Sequence, residues 1–254
     1  MPLEIVTIPC LSDNYAYLIH NDATGETAAV DVPEAAPIAA ELKARGWTLT
    51  DILITHHHAD HIDGVPALVQ EGVRLVGAAA DAHRMPALDL AVSEGDALTV
   101  CGADVQIFEV YGHTVGHIAF YIPEAKAAFT ADSLMTLGCG RLSEGTPPQM
   151  WESLSKLAAL PPETLICSGH EYTQANARFA VTIEPDNAAL QARAKDIDAK
   201  RAQGLPTVPD TLQIELDTNP FLRARLPGLK HLLGMENAAD DAVFAEIRGR
   251  KDRF

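Results

Sequence analysis

The sequence lacks the features of membrane-spanning and exported proteins. Its 254 residues contain no uninterrupted apolar run of about eighteen residues, the length that a transmembrane helix needs. The first ten residues, MPLEIVTIPC, do not place a basic stretch before an apolar one, so we expect no secretory signal peptide. We therefore predict a cytoplasmic protein without a membrane partner.

Cysteine is scarce, and its spacing excludes the common cysteine-based sites. Four cysteines lie far apart in the chain and form no C-x-x-C pair: Cys10, Cys101, Cys139 and Cys167. A chain of this length has enough apolar residues to build a core without disulfide bonds. We therefore expect reduced thiols, as is usual in cytosolic proteins.

Basic residues are outnumbered by acidic residues, 19 against 35, which gives a formal net charge of −16. A polyanion would be repelled by such a chain, so the charge excludes a general nucleic-acid binder. An anionic small molecule would need a local group of basic side chains. Residues 248–253 contain four basic side chains and one acidic side chain, although a solvated helix end would also explain this group.

The first two thirds of the sequence alternate β-rich runs with helical stretches. The predicted strands are Ile5–Ile8, Tyr15–His20, Thr27–Asp31, Asp51–Ile54, Arg74–Gly77, Asp104–Val110, His117–Ile122, Ala127–Thr130 and Thr164–Cys167. The predicted helices are Pro33–Gly46, a stretch near Gly64–Gln70, and Pro147–Leu160. Several strands are followed closely by a histidine or an aspartate, namely His56, His113, Asp132 and His170. Side chains at strand ends are held by a rigid scaffold and remain open to a ligand.

The composition changes after His170. Three later stretches, Glu171–Thr182, Asn187–Gln203 and Ala238–Arg248, are rich in Ala, Glu, Arg and Lys and are predicted to be helical. We therefore divide the chain into residues 1–170, which carry the strand-end histidines and aspartates, and a helical domain of residues 171–254.

A dense group of histidines follows the predicted strand Asp51–Ile54. In THHHADH, the side chains of His56 and His58 can point the same way and hold one ion, because they are two residues apart in extended chain. Asp60 and His61 can then face a second ion, and imidazole nitrogens and carboxylate oxygens suit zinc, iron or manganese. Four ligands cannot complete two coordination shells. The motif therefore predicts distant partners, which the strand-end residues His113, Asp132 and His170 supply.

The remaining histidines have simpler explanations. His57 lies between two predicted ligands and should point away from the ions. His117 follows His113 by four residues, and we expect it to pack against or support the ligands rather than to bind metal. His20, His83 and His231 have no partner in the sequence and receive no role.

The order of these motifs resembles a known superfamily. THHHADH, GHTVGH, FTADSL and CSGHEY occur in the order typical of the metallo-β-lactamase superfamily. Within it, PCLSDNYAYLI, GCGRLSEGTPPQM, GHEYTQANARFA, TNPFLR and RGRKDRF resemble the glyoxalase II (hydroxyacylglutathione hydrolase) family, over residues 3–254. The resemblance implies an α/β fold, an αββα sandwich of two facing sheets, with a C-terminal helical domain.

The resemblance also divides the ligands between two metal ions, which we expect to be zinc, with iron or manganese as possible substitutes. One ion would bind His56, His58 and His113, and the other would bind Asp60, His61 and His170. Asp132 would bridge both ions together with a hydroxide, the nucleophile. Asp60 and Asp132 are therefore the predicted catalytic residues.

The implied reaction is hydrolysis of the thioester of an S-(2-hydroxyacyl)glutathione, such as S-D-lactoylglutathione, to D-lactate and glutathione, which detoxifies methylglyoxal. Arg248 and Lys251 match glutathione-binding positions, share one helix face, and could hold a carboxylate. Arg141 matches a family lysine and Tyr172 a family tyrosine. Ser143 departs from the family pattern, since an aromatic residue is common there.

Other functions remain open at the level of the sequence. The main alternative is a mononuclear iron dioxygenase that acts on glutathione persulfide, although such proteins generally lack the extended helical domain. A non-catalytic metal-binding or nucleotide-binding module is a third possibility. A β-lactamase is disfavoured, because the chain retains Asp60 and has no cysteine at position 132. We expect a monomer whose partner is a small molecule.

Overall fold

The computed structural model describes residues 3–254, which form two compact units. The first unit runs to Glu109 and includes Thr114–Ala131, and the second contains Val110–His113 and Asp132–Phe254. The domain boundary that the sequence predicts after position 170 stays a prediction.

The first unit contains a six-stranded mixed sheet. Its strands, in spatial order, are β1 (Glu4–Cys10), β2 (Asn14–Asn21), β3 (Glu26–Val30), β4 (Thr48–Ile54), β5 (Arg74–Ala78) and β6 (Leu90–Val92). The pairs from β1 to β3 are antiparallel, and those from β3 to β6 are parallel. A parallel pair needs a crossover connection, and helix α1 (Ala35–Arg45) provides it between β3 and β4. Gly46 ends α1 with a φ of 69°, a left-handed conformation that glycine adopts without strain.

Four antiparallel strands of the first unit form a second layer: β7 (Leu98–Val100), β8 (Ala103–Glu109), β9 (Ile118–Ile122) and β10 (Ala127–Ala131). Every residue of β9 and β10 is buried, which explains why these strands are apolar except for Thr130 and the hydroxyl group of Tyr121. The inner faces of the two layers meet where the Tyr17 and Phe129 rings contact each other edge to face, with centroids 5.5 Å apart. Two short helices, α2 (Ala59–Ile62) and α3 (Val65–Leu68), follow β4.

The second unit is mainly helical. Its helices are α4 (Pro147–Ala158), α5 (Thr173–Ile183), α6 (Ala188–Ala202), α7 (Leu212–Thr218), α8 (Pro220–Arg223), α9 (Pro227–Leu233) and α10 (Asp240–Asp252). Its strands are a two-stranded hairpin, β11 (Leu134–Met135) and β12 (Gly138–Cys139), and an antiparallel pair, β13 (Leu165–Ser168) and β14 (Asp210–Thr211). Phe221 contacts both Phe179 and Phe244, so these rings join α5, α8 and α10 in one apolar core.

The helices that the sequence predicted are present, but four others, α2, α7, α8 and α9, were missed. Helices α7, α8 and α9 have seven residues or fewer, too short for a helical repeat of apolar residues to be visible. Two of them begin with a proline at the first helical position, Pro220 and Pro227, where the missing N–H costs no hydrogen bond. Among the residues that the structure describes, no helix is long and apolar enough to cross a membrane.

Candidate metal centre

The first group of candidate ligands lies directly after β4. We call His56–His61 the HHHADH loop; its second half forms α2. The side chains of His56 and His61 are completely buried. The ring of His56 lies 4.8 Å from the ring of His58 and 4.1 Å from that of His61, measured between centroids. A buried group of imidazoles that face one another suits a shared cation better than a solvated surface.

A single carboxylate, that of Asp31 at the end of β3, orients two of these histidines. The Nδ1–H of His61 donates to Asp31 Oδ2 over 2.8 Å. Thr55 Oγ1 also donates to Asp31 Oδ2, over 2.8 Å, so its lone pair is left to accept from His56 Nδ1 at 3.0 Å. Protons on both Nδ1 atoms leave both Nε2 atoms with a lone pair for a metal. The donor set therefore fits a cation.

Asp60 is held by a second polar side chain of the first unit. The Nδ2 of Asn14, which is buried at the start of β2, donates to Asp60 Oδ2 over 3.1 Å and to the Asp60 carbonyl over 3.0 Å. Asp60 Oδ2 lies 3.8 Å from His61 Nε2. This carboxylate and the His61 Nε2 atom therefore lie close together, and their shared role as ligands stays a prediction.

His57 and His117 occupy different positions from the candidate ligands. His57 Nδ1 lies 3.0 Å from a carboxylate oxygen of the buried Asp81, in agreement with the prediction that it points away from the group. His117 stacks on His56, with centroids 4.6 Å apart and planes 12° from parallel. His117 therefore packs against a candidate ligand, and its supporting role stays a prediction.

The second group of candidate ligands belongs to the second unit. His113, Asp132 and His170 are all less than 10% exposed. Asp132 Oδ2 lies 3.4 Å from His113 Nε2 and 3.3 Å from His170 Nε2. Positions that are far apart in the sequence thus meet around one carboxylate oxygen.

A hydrogen bond to a backbone carbonyl fixes the tautomer of His113. Its Nδ1–H donates to the Arg141 carbonyl over 2.8 Å, and a carbonyl can only accept. In the neutral ring the Nε2 lone pair then faces the Asp132 carboxylate, and these two groups repel each other unless a proton or a cation lies between them. This arrangement, too, is the one expected of metal ligands.

The predicted substrate-binding residues all lie in the second unit. Arg141 is exposed, and Tyr172 is 40% exposed and stacks on the His170 ring with centroids 4.6 Å apart. Arg248 is buried and donates to the Cys139 carbonyl and to Asp252. Its guanidinium therefore already has protein partners.

Lys251 lies one helical turn after Arg248 on α10. Its Nζ lies over the rings of Phe179 and Phe254 and donates to the Ala175 carbonyl over 3.3 Å. Burial of the ammonium group, followed by the positive charges of Arg248 and Arg178, lowers the pKa of Lys251. A carboxylate of a bound small molecule near Nζ would stabilise the positive charge of Lys251.

All four cysteines are free thiols and are buried. Burial raises the pKa of Cys10 and Cys139 to about 11 and that of Cys101 to about 12, and it also raises the pKa of Cys167. None of them supplies a thiolate near neutral pH, so the nucleophile of this site is not a cysteine.

Sequence reasoning missed Asp31 and Asn14, whose side chains bond to candidate ligands. Asp31 was read as the last residue of a strand, although its place at a strand end is the signal that drew attention to Asp132. Asn14 lies within the motif SDNY, but nothing there indicates a partner 46 residues away.

Comparisons with known proteins give consistent results. Residues 16–170 match the sequence model of the metallo-beta-lactamase superfamily, and residues 171–254 match that of the hydroxyacylglutathione hydrolase C-terminus. Hydroxyacylglutathione hydrolase of Ruegeria pomeroyi is 65% identical over 255 residues, which cover 100% of both chains. That of a Jannaschia species is 62% identical and covers 99% of this chain and 98% of the relative.

Solved structures share the fold at lower identity. The B3 metallo-beta-lactamase BLEG-1 is 22% identical, with a TM-score of 0.67 over 86% of this chain and 99% of that one. ETHE1 from Myxococcus xanthus is 23% identical, with a TM-score of 0.64 over 99% and 98% of the two chains. The predicted fold class, a metallo-β-lactamase α/β fold followed by a helical C-terminal part, is confirmed.

Proposed function

Since the chain belongs to the hydroxyacylglutathione hydrolase family of the metallo-β-lactamase superfamily, we propose that it hydrolyses the thioester of an S-(2-hydroxyacyl)glutathione. The products are glutathione and a 2-hydroxy acid, and with S-D-lactoylglutathione the acid is D-lactate, the last product of methylglyoxal detoxification. The observation that carries this proposal is the identity of 62–65% over nearly the full length of relatives that bear the hydrolase name.

The chain uses divalent metal, and we propose two ions per chain, zinc in both positions. His56, His58 and His113 would hold one ion, Asp60, His61 and His170 would hold the other, and Asp132 would be the ligand that the two sites share. Each of these two sets of three residues offers three donor atoms, imidazole nitrogens or a carboxylate oxygen, that zinc accepts. Two further observations support the assignment: the Nδ1 bonds of His56, His61 and His113, and the position of Asp132 Oδ2 between two Nε2 atoms.

When bound, two divalent cations lower the pKa of a shared water from about 15.7 toward neutrality and polarise the acyl carbonyl, which makes that water the nucleophile. Asp31 contributes by holding His56 and His61 in the metal-binding tautomer. Asn14 orients the Asp60 carboxylate by donating a hydrogen bond to it. The Arg141 carbonyl orients the His113 ring by accepting a hydrogen bond from Nδ1. The Asp132 carboxylate, which lies between the Nε2 atoms of His113 and His170, would offset part of the positive charge of the ions.

The leaving group explains why a thioester suits this site. A thiol has a pKa of about 8.5, so a thiolate can depart without a strong general acid. Hydrolysis of a peptide would require a donor for the amine. The buried cysteines do not compete as nucleophiles, since their pKa values lie well above neutrality.

We assign recognition of the glutathione moiety to Arg141, Tyr172, Arg248 and Lys251. Lys251 offers a partly desolvated positive charge, and the Tyr172 ring is fixed by its stack on the proposed ligand His170. A carboxylate of the tripeptide would pair with Lys251. That the protein is a cytoplasmic monomer stays a prediction.

The proposal is tested with purified, zinc-loaded protein and S-D-lactoylglutathione at neutral pH. We expect release of free thiol, counted with a colorimetric reagent, at a rate about 10⁶-fold or more above buffer. His113→Ala should abolish this activity and release metal. His231→Ala removes an exposed histidine of α9 and should leave both unchanged.

Acceleration of less than about tenfold, with metal content confirmed, would contradict the hydrolase proposal, since enzymes of this kind typically exceed that value greatly. The dioxygenase alternative is tested by oxygen uptake with glutathione persulfide and ferrous iron. No observation in the structure favours that alternative, and we expect no oxygen uptake above buffer.

A further inference from the structure

The β11–β12 hairpin, Leu134–Cys139, forms hydrogen bonds with side chains from the helical part of the second unit. Asn219 Nδ2 lies 3.1 Å from the Met135 carbonyl and 3.0 Å from the Gly138 carbonyl. Asn176 Nδ2 donates to the Thr136 carbonyl over 3.0 Å. These side chains satisfy the carbonyls of three of the six hairpin residues.

Glu215 and Arg248 complete the set. The Leu137 amide donates to Glu215 Oε2 over 2.8 Å, and Arg248 Nη1 donates to the Cys139 carbonyl over 3.2 Å. Glu215 is completely buried, and its carboxylate also pairs with the buried guanidinium of Arg193. A buried charge is retained in a protein only when it is paired and hydrogen-bonded in this way, so the geometry of this network is tightly defined.

The two ends of the hairpin lead directly to the proposed metal centre. Asp132 lies two residues before Leu134, and Arg141, whose carbonyl fixes the His113 ring, lies two residues after Cys139. The Gly140 amide donates to the Ser133 carbonyl over 3.1 Å, which clamps the two ends together. The contact is so close that a Cβ on Gly140 would lie 1.8 Å from the Asp132 carbonyl oxygen. A displacement of the hairpin would therefore move both Asp132 and the Arg141 carbonyl.

We propose that Asn219 and Glu215 are positioning residues for the metal centre, which act by fixing the β11–β12 hairpin between Asp132 and Arg141. The inference rests on the proposed function. It assigns a role to Asn219 of the motif TNPFLR, whose side chain donates to the hairpin carbonyls of Met135 and Gly138. Arg248, the proposed glutathione-binding residue, donates to the same hairpin, so substrate recognition and metal geometry share one support.

The chain offers a matched control. Asn219 and Asn187 each cap a helix: Asn219 Oδ1 accepts from the Phe221 amide at 3.0 Å, and Asn187 Oδ1 accepts from the Leu190 amide at 3.1 Å. Asn187 Nδ2 donates to the Asp217 carbonyl, outside the hairpin. Serine is also a good capping residue, so Asn→Ser keeps the cap at both positions and removes the Nδ2 donor.

The experiment compares wild type, Asn219→Ser and Asn187→Ser after replacement of the metal by cobalt(II). The visible absorption spectrum of cobalt(II) reports its coordination geometry and does not depend on turnover. For Asn219→Ser we expect a changed spectrum, about tenfold weaker cobalt retention against a chelator, and a lower kcat. Asn187→Ser should match wild type in all three measurements.

A folded Asn219→Ser protein with the wild-type cobalt spectrum would overturn the inference, whatever its kcat. If Asn219→Ser does not fold, Asn176→Ser decides in the same way, because it removes the donor to the Thr136 carbonyl and leaves Asn219 in place. Failure of the proposed function would look different, since wild-type protein would then bind no cobalt or would not hydrolyse the thioester.

Discussion

The HHHADH loop and the β11–β12 hairpin position the proposed ligands in different ways. In the HHHADH loop, four proposed ligands occur within six residues, and their support is compact: Asp31 and Thr55 reach His56 and His61 directly. Around the hairpin, Asp132 comes from one strand end, and its position depends on side chains that are about 80 residues away in sequence, 78 for Glu215 to Leu137 and 84 for Asn219 to Met135.

The comparison shows that a substitution near the HHHADH loop and one near the β11–β12 hairpin should affect the proposed metal centre in different ways. In the HHHADH loop the side chains of Asp31 and Thr55 bond directly to the proposed ligands His61 and His56, so loss of one of these bonds should act on the metal directly. The hairpin is held by several bonds to its backbone, so a single change should shift the ligand without removing it. We therefore expect larger effects in the first region than in the second.

The largest effect is expected from Asp31→Asn. The wild-type carboxylate accepts hydrogen bonds from His61 Nδ1, Thr55 Oγ1 and the Thr55 amide, and an asparagine of the same size would present an NH₂ group to some of these donors. With the NH₂ group at the Oδ2 position, His61 would have to change tautomer, and with the NH₂ group at the Oδ1 position, the Thr55 amide would lose its acceptor. We expect metal affinity to fall about 10–100-fold, with kcat/KM falling at least as much. Metal titration in a competing chelator measures the change.

Asp51→Asn is the matched control for this substitution. Asp51 is another buried aspartate of the first unit, but it bonds to Arg74 and Thr50 and to no histidine. It should lower stability and leave metal content unchanged. If both variants bound metal as wild type does, Asp31 would not set the tautomers.

The same contrast decides how much could be read from the sequence. The HHHADH loop could be proposed as a metal-binding segment because its histidines and its aspartate are close in sequence and follow an apolar strand. Asp132, His113 and His170 were recognisable because each follows a strand, and the structure brings them together within 3.4 Å. The supporting residues Asn219 and Glu215 could not be recognised, because they lie in or next to short helices that show no periodic pattern. Both residues bond to backbone groups of the hairpin, and every residue type has these groups, so the hairpin sequence does not indicate the contacts.

An intermediate effect, on substrate binding, is expected at Lys251, which is not a proposed metal ligand. Because burial and the charges of Arg248 and Arg178 lower its pKa, Lys251 loses its proton at a lower pH than an ordinary lysine. Binding of an anionic glutathione compound should therefore weaken as the pH rises through this lowered pKa. Lys251→Ala should weaken binding about tenfold at neutral pH, the scale of one charged hydrogen bond.

Lys251→Arg is the sharper variant, because arginine keeps its charge throughout the accessible pH range. Binding of S-methylglutathione, measured by calorimetry from pH 7 to 10, should weaken with pH more in wild type than in Lys251→Arg. The ionisation of the ligand is the same for both proteins and cancels in the comparison. Parallel pH profiles would show that Lys251 does not contact the anion.

The smallest effect on metal is expected within the HHHADH loop itself, at His57. Its neighbours His56 and His58 are proposed ligands, whereas His57 Nδ1 bonds to the buried Asp81. His57→Ala should leave metal content unchanged and kcat/KM within a factor of about two. It should lower the free energy of unfolding by about 1–3 kcal/mol, because the buried carboxylate of Asp81 loses a hydrogen-bond partner.

The neighbouring variant His58→Ala should show the opposite pattern, with loss of metal and little loss of apoprotein stability. Metal content and thermal unfolding of the two variants separate ligand from support at adjacent positions, and loss of metal from His57→Ala would show that the loop does not divide its histidines in this way.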